Sequence, residues 1–370
     1  MKILVMGGTG AIGQELVPVL AQEVGNKIVV TSRRKINSVD RIQYVQGNAK
    51  SIDFIKSLLE NGNFDVIVDF MLYSTNEFRD RQKLLLSSCK QYIFFSSSRV
   101  YAPSDKPLNE KAVRLLDVST DKEFLEDGEY SLTKAAEEDS LKKSEFKNWV
   151  IIRPYKTYSN SRLQLGVLEL EQWLYRAMLE KSVVVPGDIE HLHTSLTYSK
   201  DTAKILKYII GNTTLNGETI QIANPESITW GDVIRIYSQC IEKKYGKKMK
   251  VFYAKDTSEI ELLFNNKYRI KYDGLIDRVF DDSKITALIG SQFSWTSLNV
   301  GLTECVNFAL EQNNNLTIQN FGIEGMYDKL TREFTPLSAI PGNKNRLKYL
   351  LHYTFSEKKI KAIKQLICRQ

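Results

Sequence analysis

Tyr130-Ser131-Leu132-Thr133-Lys134 sets a phenol and an ammonium four residues apart. On a helix that spacing puts both on one face. An unperturbed tyrosine, with a pKa near ~10, is a poor base at neutral pH. A neighbouring ammonium favours its phenolate and tunes it toward general acid/base work. Lys134 could also bond a ribose hydroxyl. The spacing alone recurs often by accident, so its weight comes from what lies around it. Upstream, Ser96-Ser97-Ser98 and then Arg99-Val100-Tyr101 follow an aromatic and β-branched run. Sites of parallel sheets open at the carboxyl ends of strands, where a hydroxyl can bond a substrate oxygen that gains or loses a proton.

A second cluster has the chemistry of a dinucleotide turn. Gly7-Gly8-Thr9-Gly10-Ala11-Ile12-Gly13 follows an apolar run and opens a helical pattern. Glycines let the backbone turn tightly and approach a pyrophosphate, whose charge the helix N-terminus stabilises. The predicted contacts are Gly7, Thr9, Gly10, Ala11, Ile12 and Gly13. Dinucleotide sites for NAD place an acid at the end of the second strand, on the ribose 2′-hydroxyl. This chain has Thr31-Ser32-Arg33-Arg34 there and no carboxylate. Arginine forks match a phosphate, so NADP is expected in preference to NAD, with Ser32, Arg33 and Arg34 around the 2′-phosphate. The competing reading is a solvated basic run.

Strands alternating with amphipathic helices must position these groups, the signature of a parallel sheet. Strands are predicted at Lys2–Met6, Lys27–Thr31, Ile42–Val45, Val66–Phe70, Gln91–Ser96 and Trp149–Arg153. Helices are predicted from Ala11 to about Glu23 and from about Glu129. The result is an α/β fold, a Rossmann-type doubly wound parallel sheet in the order 3-2-1-4-5-6. Further strands at Val183–Pro186, Ser195–Tyr198 and Thr219–Ile222, with helices at Val167–Leu179, Lys200–Ile210 and Thr229–Lys243, suit a smaller α/β substrate lobe. Expected domains are 1–155 (dinucleotide-binding), 156–315 (substrate lobe, partly interleaved with the first) and 316–370 (helical extension).

Residues 343–370 carry eight Lys or Arg against one Glu, with Leu347, Leu350, Leu351, Phe355, Ile360, Ile363 and Ile367 at roughly helical spacing. This basic helical tail could pack on its own domain, lie on an anionic membrane surface or bind a partner. Packing is favoured, because apolar stripes are usually core.

Bulk properties narrow the class. The chain has 370 residues, 42% of them hydrophobic and 26% charged, with net charge +7. That length supports a large core and more than one domain. No apolar run reaches a membrane span, and the start lacks a secretory signal, so a soluble cytoplasmic protein is expected. Cys89, Cys240, Cys305 and Cys368 form no CxxC pair, and the histidines are His191, His193 and His352. Neither a metal site nor a disulfide framework is expected. His191 and His193 read as solvated loop residues, Trp173 and Tyr175 as core or contact residues. The positive charge favours anionic ligands, but no nucleic-acid motif is present and such a partner is disfavoured.

Taken in order, GGTGAIG, SSSRVY, YSLTK and the strand end IIRPYKTY resemble the extended short-chain dehydrogenase/reductases of the nucleotide-sugar epimerase/dehydratase type, over about Met1–Gln312. The resemblance implies Ser97 as the catalytic hydroxyl, Tyr130 as proton carrier and Lys134 as its partner. It implies Arg153 and Pro154 beside the nicotinamide, Asn48 at the adenine, and Ser98, Arg99 and Lys156 toward substrate. It also implies a nucleotide-sugar substrate and a homodimer built on a four-helix bundle.

The chain departs from the family pattern in places. Gly47-Asn48 stands where Gly-Asp is usual, and Ser98-Arg99 stands where dehydratases carry an acidic pair, which argues against water elimination. Lys156 replaces a usual Asn. Asp69-Phe70-Met71-Leu72-Tyr73 lacks the usual HxAA stretch. The implied activity is NADP-dependent hydride transfer, as a 4-epimerase or a keto-sugar reductase. The alternative is a non-catalytic NADP-binding sensor or RNA-associated protein on the same fold.

Overall fold

The computed structural model describes residues 1–60, 62–255, 257, 267–290, 293–312, 320–355 and 359–360. The chain forms two compact units. One comprises Met1–Arg162, His193–Ile228 and Ile276–Cys305; the other comprises Leu163–Leu192, Thr229–Leu275 and Val306–Gln370.

The first unit is built on a seven-stranded parallel sheet. Its first six strands are β1 (Lys2–Met6), β2 (Lys27–Ser32), β3 (Ile42–Gln46), β4 (Val66–Asp69), β5 (Gln91–Phe95) and β6 (Trp149–Pro154). β1, β4 and β5 each hold a continuous apolar run, Ile3–Met6, Val66–Val68 and Tyr92–Phe95, because helices cover both faces of the sheet. Alternate residues feed separate cores. Ile3, Val5, Ile28, Val30, Val68 and Ile93 enter one, while Leu4, Met6, Val29, Ile67, Tyr92 and Phe94 enter the other.

The spatial order is β3, β2, β1, β4, β5, β6 and then Thr219–Ile222. The expected order holds, with one addition. Thr219–Ile222, anticipated in the second lobe, joins the sheet parallel to β6, with Ile220 opposite Ile152. The helix Ser199–Ile209 also belongs to this unit and packs against α1 (Ala11–Gln22). Leu16 and Leu20 on α1 and Leu206 and Ile209 on the later helix share one core, so each apolar stripe covers the other. The expected strand Ser195–Tyr198 shortens to Thr197–Tyr198, paired with Thr157–Tyr158.

The remaining helices before β6 are α2 (Ile52–Glu60), α3 (Thr75–Ser87), α4 (Leu115–Val118), α5 (Lys122–Asp127) and α6 (Tyr130–Lys143). A capping box starts α3: the Ser74 hydroxyl accepts from the Glu77 amide, and the Glu77 carboxylate accepts from the Ser74 amide.

In the second unit, Val183–Pro186 pairs with Val251–Ala254. Trp173, on the helix Leu170–Met178, stacks on Tyr237 of the helix Trp230–Tyr245 at 4.5 Å. The C-terminal segment packs within this unit through the helices Phe321–Thr331 and Asn343–Thr354. Asp328 is buried and accepts from Arg176 at 3.0 Å, Lys181 at 2.6 Å, the Thr335 hydroxyl at 2.7 Å and the Tyr349 hydroxyl at 2.8 Å. Ile363 and Ile367 of the expected tail stripe lie outside the described residues. Among the described residues no helix is long and apolar enough to cross a membrane.

Candidate active site

The glycine turn is shaped by close approach. Gly7 has φ +74°, in the left-handed region, and its amide donates to the Thr31 hydroxyl at 3.2 Å. The Gly10 amide closes the turn on the Gly7 carbonyl at 3.2 Å. A Cβ on Gly13 would sit 2.4 Å from the Gly8 carbonyl oxygen, so only glycine lets α1 begin this near the turn. Gly10 caps α1 with no side-chain hydrogen bond. The first-turn amides of Ala11, Ile12 and Gly13 therefore have no side-chain cap, beside the exposed Thr9. Three such orphan donors and a helix dipole form an anion site. The residues present fit a pyrophosphate.

At the end of β2, Ser32 is buried and its hydroxyl accepts from the Arg34 amide at 3.1 Å. The Arg33 and Arg34 side chains are exposed. Asn48 is exposed too, its side-chain oxygen accepting from the Lys50 amide at 3.1 Å.

The three serines after β5 point to different ends. Ser96 donates to Glu138 at 2.6 Å. Ser97 starts a single 3₁₀ turn, its hydroxyl accepting from the Arg99 amide at 3.2 Å. Ser98 has no exposed surface and donates to the Arg153 carbonyl at 3.0 Å. Ser98, expected toward substrate, has its hydroxyl enclosed and committed to that carbonyl.

Arg99, expected toward substrate, lies beside Tyr130. Its guanidinium pairs with the buried Glu129 and lies 5.1 Å from the centre of the Tyr130 ring. Glu129 caps α6 as well, accepting from the Ser131 amide at 2.6 Å. One carboxylate thus fixes the start of the helix that carries Tyr130 and holds a cation over the phenol ring.

Tyr130 is half-buried at the first position of α6. Lys134, one turn on, is only 1% exposed. Its ammonium lies 2.9 Å from a Glu137 carboxylate oxygen and 4.6 Å from the centre of the Phe94 ring. The contact with Glu137 is an ion pair without hydrogen-bond alignment. Glu137 has no exposed surface, and burial pushes its carboxyl up to about 7 against the opposing pull of Lys134.

Nearby, Asp69 ends β4. It accepts from the Tyr92 hydroxyl at 2.8 Å, the Met71 amide at 2.9 Å and the Tyr73 hydroxyl at 3.1 Å. Burial still raises its carboxyl above the usual range, and raises the Tyr92 and Tyr73 phenols further.

Glu138, the next residue, lies in a different environment. It meets Arg153 through Nε at 2.8 Å and Nη2 at 2.5 Å, and Arg114 at 3.4 Å. Burial alone would raise this carboxyl, but the Arg153 bonds outweigh it and hold it below the usual range. Arg153 is buried in this network, its guanidinium 4.9 Å from the centre of the Tyr101 ring. Arg153, expected beside the nicotinamide, has its guanidinium bonded to Glu138. Pro154 ends β6 half-buried. Lys156 follows it, 5.4 Å from the centre of the Tyr155 ring. His193 opens a two-residue strand and its ring meets Asp277 at 3.2 Å.

Glu129, Glu137 and Asp69 were not anticipated. The signal lay in α6 itself: the positions expected to be apolar hold Lys134, Glu137 and Glu138 as well as Leu132, Ala135 and Leu141. Ionic residues on a core stripe imply buried partners.

The family model described as "NAD dependent epimerase/dehydratase family" matches residues 3–223. Among curated proteins, the Arabidopsis thaliana "Chloroplast stem-loop binding protein of 41 kDa b, chloroplastic" is 28% identical over 249 residues, 62% of this chain. The chain spans 60% of that relative's length. Two solved structures share the fold. UDP-glucuronic acid 4-epimerase from Bacillus cereus, in complex with UDP-glucuronic acid and NAD, matches at TM-score 0.62 and 20% identity, covering 84% of this chain and 100% of its own. The dTDP-glucose 4,6-dehydratase of Bacillus anthracis, in complex with NAD, matches at 0.61 and 16%, covering 85% and 98%.

Proposed function

The chain belongs to the NAD dependent epimerase/dehydratase family, and we propose that it is an NADP-dependent oxidoreductase acting on a nucleotide-activated sugar, as a 4-epimerase or keto-sugar reductase. The observation that carries this reading is the half-buried Tyr130 at the start of α6, one turn before Lys134 and under the Arg99 guanidinium. In this reading Tyr130 moves the proton at the reacting sugar oxygen. Ser97 bonds that oxygen, and the Arg99 guanidinium lies over the phenol ring. A bound nicotinamide would supply hydride transfer. Gly7, Thr9, Gly10, Ala11, Ile12 and Gly13 would hold its pyrophosphate, and Ser32, Arg33 and Arg34 the 2′-phosphate. Asn48 would meet the adenine, Pro154 the nicotinamide end and Lys156 the substrate. Ser98-Arg99 in place of an acidic pair disfavours elimination.

The test is turnover of UDP- and dTDP-sugars with either cofactor, by wild type and Tyr130→Phe. The expected result is a loss of at least ~10²-fold in kcat with KM little changed. Unchanged turnover in the variant defeats the reading. Interconversion of sugars with no net change in nicotinamide absorbance selects the epimerase over the reductase.

Dimerisation through α3 and α6 has little support from their outer faces. The groove beside them is lined by Arg79, Gln82, Lys83, Ser140, Ser144, Glu145 and Phe146, which is mostly polar. A bundle there would bury charge.

A second reading, a stem-loop RNA-binding protein on this fold, has the printed name of the Arabidopsis relative and the net charge of +7 in its favour. A gel-shift titration with a stem-loop RNA across salt concentrations separates it, since phosphate binding weakens steeply with salt.

A further inference from the structure

Asp69, Glu137 and Glu138 are all buried carboxyls, and their compensation is unequal. Asp69 has three donors, and Glu138 has Arg153, Arg114 and Ser96. Among the described residues Glu137 has no exposed surface, no aligned hydrogen-bond donor, and the Lys134 ammonium at 2.9 Å as its ion-pair contact. The groups acting on it from the packed elements offer little else. Asp69 on β4 and Glu77 on α3 add negative charge, and the Tyr92 hydroxyl on β5 is committed to Asp69. Arg81 on α3 is spent on the Glu77 and Lys50 carbonyls.

A buried carboxylate that loses its one cation does not stay charged; it takes a proton. Lys134 is also the residue that the family resemblance makes the partner of the Tyr130 phenol, with its ammonium in reach of a ribose hydroxyl of the dinucleotide in the cofactor reading. It cannot satisfy both demands while bound to Glu137.

We infer that Glu137 is a positioning residue, holding the Lys134 ammonium inward when no dinucleotide is bound and taking up a proton from solvent when that ammonium turns to the nicotinamide ribose. The inference rests on the cofactor reading. Dinucleotide binding is then linked to proton uptake wherever Glu137 is ionised beforehand, which burial places above about 7. In that range affinity falls by up to ~tenfold per pH unit, the slope of one proton.

The test is calorimetric titration of the full chain with NAD at pH 8, in two buffers of different ionisation enthalpy. NAD is the probe because it lacks the titrating 2′-phosphate. The expected result is uptake approaching one proton in the wild type, none in Glu137→Gln, and uptake retained in Glu137→Asp. Affinity in Glu137→Gln is expected to be flat from pH 7 to 8.5. Lys134→Met removes the other half of the pair and should abolish uptake as well, so the inference stays open to test if Glu137→Gln does not fold. Binding without uptake in the wild type, or equal uptake in wild type and Glu137→Gln, overturns it. Absence of binding by the wild type to either NAD or NADP overturns the cofactor reading and this inference together; binding without uptake overturns this inference alone.

Discussion

Glu137 and Glu138 are neighbours in sequence with opposite electrostatic signs. Glu138 is held low by Arg153. Its contribution to stability is present above the ordinary glutamate range, near ~4.3, and is lost as pH falls through its lower folded value. Glu137 is pushed up to about 7 by burial. The folded state keeps its proton while the unfolded chain has released it, so stability falls as pH rises between ~4.3 and about 7. The slope is at most about 1.4 kcal/mol per pH unit. Glu137→Gln should therefore remove the decline in thermal stability between pH 5 and 7, while Glu138→Gln should lower stability by about 3–5 kcal/mol at neutral pH, leaving Arg153 unpaired. Parallel melting-temperature curves for wild type and Glu137→Gln would sink the first claim. At this scale Tyr130, Lys134 and Ser97 could be read from residue types and order. Glu129, Glu137 and Asp69 could not, because a carboxylate's role depends on which cations the fold brings to it.

The elements that hold these residues owe their existence to simple patterns. Continuous apolar runs made β1, β4 and β5, and 3.6-residue periodicity made α1. The turn joining β1 to α1 is tighter than pattern reveals. Gly13→Ala places a methyl 2.4 Å from the Gly8 carbonyl oxygen, whereas at Gly10 the nearest contact is 3.6 Å, at an ordinary negative φ. Gly13→Ala should cost about 1–3 kcal/mol as overpacking and weaken dinucleotide binding. Gly10→Ala should cost far less stability. Urea midpoints and cofactor titration of both variants check this, and equal midpoints would contradict it. The serine cluster makes the same point. Three adjacent hydroxyls share one residue type, yet the end of β5 turns Ser96 to Glu138 and Ser98 to the Arg153 carbonyl, partners that the sequence did not indicate.

Over the whole molecule, the described part of the basic C-terminal segment, the helix Asn343–Thr354, is part of a folded unit. Arg176 and Lys181 meet Glu324 and Asp328, while Tyr349 closes the cluster by donating to Asp328. Asp328→Asn should cost about 3–5 kcal/mol, because two cations lose one of the two buried carboxylates they share, leaving Glu324. Lys344→Ala, on the exposed face of the last described long helix, should change stability by less than ~0.5 kcal/mol. Urea unfolding measures both, and a wild-type midpoint for Asp328→Asn would refute the argument.

The sequence by itself determined the parallel sheet, its strand order, the glycine turn and the Tyr130–Lys134 pair. Those follow from local spacing, apolar runs and the handedness of crossovers, all of which act over short stretches of chain. Only the tertiary structure decided that Thr219–Ile222 extends the first sheet, that Arg99 lies over Tyr130 and that Lys134 faces Glu137. Ion pairs and sheet edges join residues distant in the chain, and their partners are chosen by burial, which no local pattern records. The pair with which the chemistry began thus gains a third member: Tyr130 and Lys134 share a helix face, and Glu137, one turn further on, determines which way the lysine points.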